Sequence, residues 1–188
     1  DGWEGGHLCY KYAVPTELSW CKSCPMYPGN VVDTHAHLCD PIFDADRTDV
    51  LARAQAAGVA AVIAVSETLA DARRNLELAA KHPLLRPAAG LYPKYLDVAQ
   101  ADALIDVIRQ ECDKFCAIGE VGLDHWVVKE DADKELQREI FGRFVDLANE
   151  LDLPLNVHSR SAGRNAIALL LERGARKVQL HAFDGKAA

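Results

Sequence analysis

The sequence predicts an α/β fold built around a parallel sheet, and two patterns carry this prediction. Short apolar runs, such as residues 59–65 and 153–157, alternate with longer stretches of helical periodicity. Continuous apolar runs are typical of strands buried on both faces of a parallel sheet. A repeated strand–helix order is typical of right-handed crossover units. We expect six strands, starting near residues 31, 59, 84, 115, 153 and 177, and five connecting helices.

The connecting segments carry the helical part of the prediction. Three of them show apolar residues at helical spacing, which indicates one buried face on each helix. The three stripes are Leu69, Ala72, Leu76 and Ala79; Leu104, Ile105, Ile108 and Cys112; and Leu136, Ile140, Phe144, Ala148 and Leu151. Gly58 and Gly174 each precede a predicted strand, so we expect them to end helices.

Composition limits the class of protein. The 188 residues have a net charge of −7 and are 49% hydrophobic, which suits one domain with a sizeable core. No apolar run reaches the ~20 residues that cross a bilayer, and no secretory signal is visible. We therefore expect an intracellular protein of the cytoplasm or nucleus that does not bind membranes, and we assign it no protein partner. The acidic balance disfavours bulk attraction to nucleic acid but allows a nucleic-acid substrate held by a few local cations.

Polar side chains follow the predicted strands at their carboxyl ends, where parallel α/β folds bind ligands. They are His35 and His37 after the first strand, Glu120 after the fourth, His158 after the fifth and His181 after the sixth. Residues two apart in a strand point to one side, so His35 and His37 can face one metal ion. Imidazole and carboxylate ligands suit divalent zinc, manganese, nickel or iron, and carboxylates also accept magnesium. Glu120 could bridge two such ions ~3.5–4 Å apart.

Each of these residues also has an ordinary structural interpretation. A single histidine at a strand end is more often a hydrogen-bonded structural residue than a ligand. Placement of all five at strand ends favours a shared metal site. Arg160 lies two residues after His158, so we predict that it binds a substrate phosphate; the alternative is a solvated strand-end cation.

Several motifs resemble the TatD family of metal-dependent deoxyribonucleases, and the resemblance covers residues 31–186. The motifs are Asp33–Leu38, Ala117–Asp124, Leu153–Arg164 and His181–Gly185. The resemblance implies a (β/α)₈ TIM barrel of the amidohydrolase-like group, and a hydrolase that cleaves phosphoester bonds in DNA with two divalent metal ions (Zn, Mn, Mg or Ni). It also implies that His35 and His37 bind the first metal, that His158 and His181 complete the second, and that Glu120 bridges both as a catalytic residue.

The chain departs from the family pattern in three places, of which residues 1–30 are one. The family's last ligand, an Asp in a Glu-Thr-Asp-Ser-Pro motif on the eighth strand, is absent after His181. Tyr92 stands where the family usually has the His of a His-Pro pair, and it offers no imidazole. A complete barrel takes ~250 residues, so we expect residues 31–188 to form a partial barrel of about six strands. This chain by itself is therefore expected to be a poor catalyst.

Two other functions remain open. One is a truncated, catalytically inactive isoform that lacks the eighth-strand Asp. The other is an amidohydrolase-type enzyme acting on a small molecule; many such enzymes bridge their metals with a modified Lys on the fourth strand, where this chain has Glu120, which favours the phosphoesterase.

Residues 1–30 match no pattern that we recognise and are expected to be an unstructured segment outside the barrel. Cys21 and Cys24 have the spacing of half a zinc site, which Cys9 and His7 could complete.

Overall fold

The computed structural model describes residues 31–184, and its strands are parallel and hydrogen-bonded in the order of the chain. The strands are β1 (Val31–Ala36), β2 (Val59–Ala64), β3 (Leu85–Ala89), β4 (Ala117–Gly122), β5 (Leu155–His158) and β6 (Val178–His181). The helices are α1 (Arg47–Ala56), α2 (Leu69–Lys81), α3 (Val98–Gln110), α4 (Asp131–Leu151) and α5 (Gly163–Glu172), with 3₁₀ turns at Pro41–Phe43 and Cys112–Lys114. The α/β fold with six parallel strands is confirmed.

The sheet is curled, so that its late strands reach its first strand. Asn156 on β5 and Gln179 on β6 both form side-chain hydrogen bonds to Thr34 on β1, although β1 and β6 are the two ends of the strand order. The arrangement is a curled half-barrel with helices in the connections. It matches the prediction of a (β/α)₈ barrel represented by about six strands.

The main core lies between the helices and the sheet. Its largest fully buried side chains include Phe141 and Phe144 of α4, Leu104 and Ile108 of α3, and Ile118 of β4. The predicted stripes on α3 and α4 therefore face the sheet. Caps fix where two helices begin: Thr68 accepts the backbone N–H of Asp71 before α2, and Asp97 accepts that of Gln100 before α3.

One predicted stripe is too long. Cys112 lies beyond the end of α3, in a 3₁₀ turn, and is exposed. The chain leaves helical geometry at Glu111 and extends at Phe115, which is buried ahead of β4. Gly58 and Gly174 have φ of 93° and 64°, as expected of residues that end helices.

Two further sequence predictions concern residues 1–30 and the absence of membrane-spanning helices. The proposed unstructured segment 1–30, with the possible ligands His7, Cys9, Cys21 and Cys24, lies outside the described residues. Within residues 31–184, no helix combines the length and apolar character needed to cross a bilayer.

Candidate metal centre

The carboxyl ends of β1, β4, β5 and β6 bring the predicted metal-site residues together. The ring centroids of His35 and His37 are 4.9 Å apart, those of His35 and His181 are 3.9 Å apart, and those of His158 and His181 are 5.1 Å apart. Glu120 on β4 lies within 3.4 Å of a ring nitrogen of each of these four histidines. The five side chains thus form one cluster, as their shared position after strands predicts.

The two carboxylate oxygens of Glu120 face different imidazoles. Its Oε2 is 3.0 Å from Nε2 of His35 and 3.4 Å from Nε2 of both His37 and His181. Its Oε1 is 3.3 Å from Nδ1 of His158. The Glu120 side chain is 3% exposed, so nearly all of its polar surroundings come from the protein. A carboxylate oriented in this way has the geometry of a bridging group.

A chain of amides fixes the orientation of His35. Asn156 donates from Nδ2 to the carbonyl of Thr34 at 2.6 Å and to Oε1 of Gln179 at 2.9 Å. The carbonyl of Thr34 can only accept, so the amide nitrogen of Asn156 must face it, and Oδ1 of Asn156 then faces Nδ1 of His35, 2.9 Å away. Because Oδ1 also only accepts, Nδ1 of His35 carries the proton. Nε2 of His35 then carries the free lone pair, which is directed at Glu120. Asp33 has a local role, accepting the backbone N–H of His35.

Asp124 does the same for His158. Its Oδ2 accepts from Nε2 of His158 at 2.8 Å and from the hydroxyl of Tyr92 at 3.0 Å, while its Oδ1 accepts the backbone N–H groups of Trp126 and Val127. The proton of His158 is therefore held on Nε2, and Nδ1 faces Glu120. A carboxylate behind a ligand histidine is the usual arrangement around protein-bound metals. Tyr92, which cannot supply an imidazole, instead supports this carboxylate.

The electrostatics of the cluster follow from one buried anion among four imidazoles. Burial raises the pKa of Glu120, but hydrogen bonds from the histidines outweigh burial and hold this pKa well below its usual range. Burial lowers the pKa of His158, while hydrogen bonds to Asp124 and Glu120 overcome this and raise it to about 9. For His181 burial prevails and its pKa is lowered; for His37 the interactions with Glu120 prevail over burial and its pKa is raised.

The donor set fits a divalent cation. His35, Glu120 and His181 each present a ligand atom within 4.8 Å of the other two. On either side of this triad, Nε2 of His37 lies 3.1 Å from Nε2 of His35, and Nδ1 of His158 lies 3.2 Å from Nε2 of His181. Four imidazoles therefore crowd their ring nitrogens around one carboxylate, and a cation that displaced the protons of the raised-pKa rings His37 and His158 would accept these nitrogens as ligands. Nδ1 of His181 is buried and has no hydrogen-bond partner within residues 31–184.

Two glycines allow the strands to approach closely at the site. A Cβ on Gly122, whose φ is 142°, would lie 2.1 Å from the carbonyl oxygen of His158. A Cβ on Gly90, just after β3, would lie 2.5 Å from the carbonyl oxygen of Glu120. The backbone positions of Glu120 and His158 therefore depend on residues that lack side chains.

The predicted substrate-binding residue, Arg160, follows the candidate ligand His158 by two residues and contacts Trp126. Arg160 is exposed just after β5, its guanidinium lies 4.9 Å from the ring centroid of Trp126, and its carbonyl accepts the backbone N–H of His125. Sequence reasoning assigned no role to Asp124, Asn156 or Trp126. Asn156 could have been found, because it precedes His158 by two residues and so points to the same side of β5.

Comparison with known proteins establishes the family. The model of the family described as TatD related DNase matches residues 32–188. The chain therefore belongs to the TatD family, and the resemblance of its motifs is confirmed.

Solved structures agree with this assignment. YjjV, the TatD homologue of Escherichia coli, superposes with a TM-score of 0.75 at 30% identity, over 82% of this chain and 61% of that one. A TatD family hydrolase from Entamoeba histolytica superposes with a TM-score of 0.74 at 26% identity, over 84% and 60% of the two chains.

Curated relatives narrow the similarity within the family. The chain is 42% identical over 168 residues to the human protein named deoxyribonuclease TATDN3, covering 83% of this chain and 61% of that one. It is 33% identical over 159 residues to YabD of Bacillus subtilis, named an uncharacterized metal-dependent hydrolase, covering 82% and 61%. Within the TatD family, the motifs of the chain resemble those of TatD domain-containing protein 3, and these identities confirm that resemblance. The chain spans about three fifths of the length of these relatives.

Proposed function

We propose that the protein to which this chain belongs is a divalent-metal-dependent deoxyribonuclease that hydrolyses phosphoester bonds in DNA. The observation that carries the proposal is the position of Glu120, whose two oxygens face separate sets of imidazoles. Oε2 of Glu120 faces His35, His37 and His181, and Oε1 faces His158. We infer two ions, following the family pattern: His35 and His37 would hold the first, His158 and His181 would complete the second, and Glu120 would be shared. Relatives named deoxyribonuclease and metal-dependent hydrolase support the class of reaction.

The residues of the chain divide the work at this site. Glu120 remains ionised because its neighbours keep its pKa low, and it supplies a fixed negative charge between the histidines. Asn156 and Asp124 hold His35 and His158 with their lone pairs turned inward. When bound, zinc, manganese, magnesium or nickel would polarise the phosphoester and lower the pKa of a bound water. Arg160, exposed two residues after His158, binds a phosphate of the substrate.

A hydrolase of small cyclic amides or nucleosides is the competing enzyme function. Many enzymes of that kind place a modified Lys on the fourth strand. On β4 the group facing the imidazoles is the carboxylate of Glu120, and this favours phosphoester cleavage.

Metal content tests the proposed centre separately from turnover. Glu120→Gln keeps the size of the side chain and removes its charge, so we expect the purified variant to lose both ions, whereas His181→Ala should lose mainly the second. Glu150→Gln is the matched control, because Glu150 is half-exposed on α4 and pairs with Arg109, away from the cluster. Elemental analysis gives the number of ions per chain. Two ions retained in Glu120→Gln would contradict the shared carboxylate.

Cleavage of a labelled oligonucleotide by the protein extended to the full length of its relatives tests the reaction, because this chain by itself is expected to be a poor catalyst. We expect cleavage that depends on an added divalent metal, stops with EDTA, and falls by about 100-fold or more in Glu120→Gln. Cleavage that continues with EDTA, or hydrolysis of cyclic amides without cleavage of DNA, would refute the proposal.

We also propose an intracellular location, in the cytoplasm or nucleus. Cys39, Cys112 and Cys116 are free thiols, and free thiols are maintained in reducing compartments. Fluorescence microscopy of the tagged protein would show a secreted pattern if this proposal is wrong.

A further inference from the structure

An aromatic side chain flanked by two cations follows Asp124, the carboxylate that contacts the candidate ligand His158. Trp126, in the segment between β4 and α4, is 58% exposed. The guanidinium of Arg160 lies 4.9 Å from its ring centroid, and Nζ of Lys129 lies 5.1 Å from it. We call these three residues the Trp126 platform.

The platform is held in place from the metal centre. One oxygen of Asp124 accepts the backbone N–H of Trp126 at 2.9 Å, and the other accepts from His158 at 2.8 Å. The backbone N–H of His125 donates to the carbonyl of Arg160, which ties the segment after β4 to the end of β5. Lys129 donates to the carbonyl of His125. The side chain of Trp126 is therefore exposed on a backbone that is fixed beside a candidate metal ligand.

The two cations of the platform differ from many others on this surface. Arg109, Arg143 and Arg173 pair with carboxylates of neighbouring helices. Within residues 31–184, neither Arg160 nor Lys129 forms an ion pair. In a chain with a net charge of −7, two positive groups without a carboxylate partner in residues 31–184, on segments that follow β4 and β5, are suited to bind phosphates.

We propose that the Trp126 platform stacks an unpaired nucleobase of single-stranded DNA, while Lys129 and Arg160 bind the phosphates next to that base. This inference rests on the proposed function and deepens it. Exposed aromatic rings beside cations are the usual means of binding single strands, because every base has a face that can stack.

A stacked base competes with the cations that already lie over the Trp126 ring, and the relative strengths of stacking and of the cation–π contact decide which one binds. An exposed cation–π contact changes an equilibrium constant by about two- to fivefold, and stacking of a base by about 5- to 150-fold. A base therefore displaces a cation from the ring, and the displaced cation gains a phosphate. Recognition of this kind is independent of base sequence.

The test uses the full chain, EDTA to prevent cleavage, and two labelled probes of equal length. One probe is a short oligothymidylate; the other is its abasic analogue, which keeps the sugars and phosphates and lacks the bases. By fluorescence anisotropy, we expect Trp126→Ala to weaken binding of oligothymidylate about ten- to hundredfold and to leave the abasic probe unchanged. Trp126→Phe should lose less. Lys129→Ala should weaken binding of both probes equally. It should also lower the slope of log affinity against log salt concentration by about 0.7 in magnitude.

Leu171→Ala is the matched control, because Leu171 is 76% exposed at the end of α5; it should bind both probes as the unaltered chain does. Metal content of Trp126→Ala should also be unchanged, since only the backbone of Trp126 contacts Asp124. Unchanged binding of oligothymidylate by Trp126→Ala, or equal losses on both probes, would overturn stacking while leaving DNA as the substrate. Failure of the unaltered chain to bind either probe would overturn the platform and the proposed substrate together.

Discussion

Replacing Asp124 with Asn tests whether a group outside the proposed ligand set controls metal binding. The Asp124 side chain is fully buried and accepts four hydrogen bonds. Asn keeps one oxygen for the backbone N–H groups but turns an NH₂ group toward Nε2 of His158. Two donors then face each other, so the proton of His158 must move to Nδ1. That is the atom which faces Glu120 and would bind the metal.

The expected loss is set by the effect of supporting groups on metal ligands. Removing the partner of a ligand histidine typically costs about 10- to 100-fold in metal affinity, or about 1.4–2.7 kcal/mol. Tyr92→Phe is the matched control. It removes one hydrogen bond to Asp124 and leaves the carboxylate against His158, so we expect its affinity to stay within about threefold of the original.

Competition with a chromophoric zinc chelator measures the affinity. ¹⁵N NMR of the histidine rings in the metal-free chain, recorded above pH 9 where His158 is neutral, identifies the protonated nitrogen. We expect Asp124→Asn to lose affinity and to show the proton of His158 on Nδ1. An Asp124→Asn variant that binds zinc as tightly as the unaltered chain, or keeps the proton on Nε2, would refute the reasoning.

Two further predictions concern stability and pH. Gly122→Ala combines an unfavourable φ with a Cβ 2.1 Å from the carbonyl of His158, so we expect the free energy of unfolding to fall by about 3 kcal/mol or more. Gly174→Ala, with φ of 64° and no atom within 4 Å of the added Cβ, should lower it by about 1 kcal/mol. Equal changes in melting temperature for the two variants would contradict this. In the metal-free chain, the raised pKa of His158 contributes stability that is complete below pH 6.5 and is lost as pH rises through about 9. Metal affinity should rise over the same range, because the metal displaces that proton; titration calorimetry that shows affinity falling with pH would contradict the assignment of His158 as a ligand.

Much of the fold could be predicted because its strands are buried on both faces and so leave continuous apolar runs in the sequence. The cluster of His35, Glu120 and His158 could be predicted because parallel strands end at one edge of the sheet. Asp124 was harder to assign, since it lies beyond the end of β4, where the alternation of a strand no longer tells which way a side chain points. Contacts between Trp126 and Arg160 depend on how two loops fold toward each other, and nothing in local sequence states this.

The hydrogen bonds that hold His35 have a consequence for how the centre opens. Thr34 on β1 receives side-chain donors from Asn156 on β5 and Gln179 on β6, and the last residue of β6 is the candidate ligand His181. If β6 detaches from the sheet, Gln179 and His181 leave together, and Thr34 loses the donor from β6 while it keeps the donor from Asn156 on β5. Local opening of the last strand and release of metal are then one equilibrium. By mass action, a bound ion would hold the first and last strands of the sheet together.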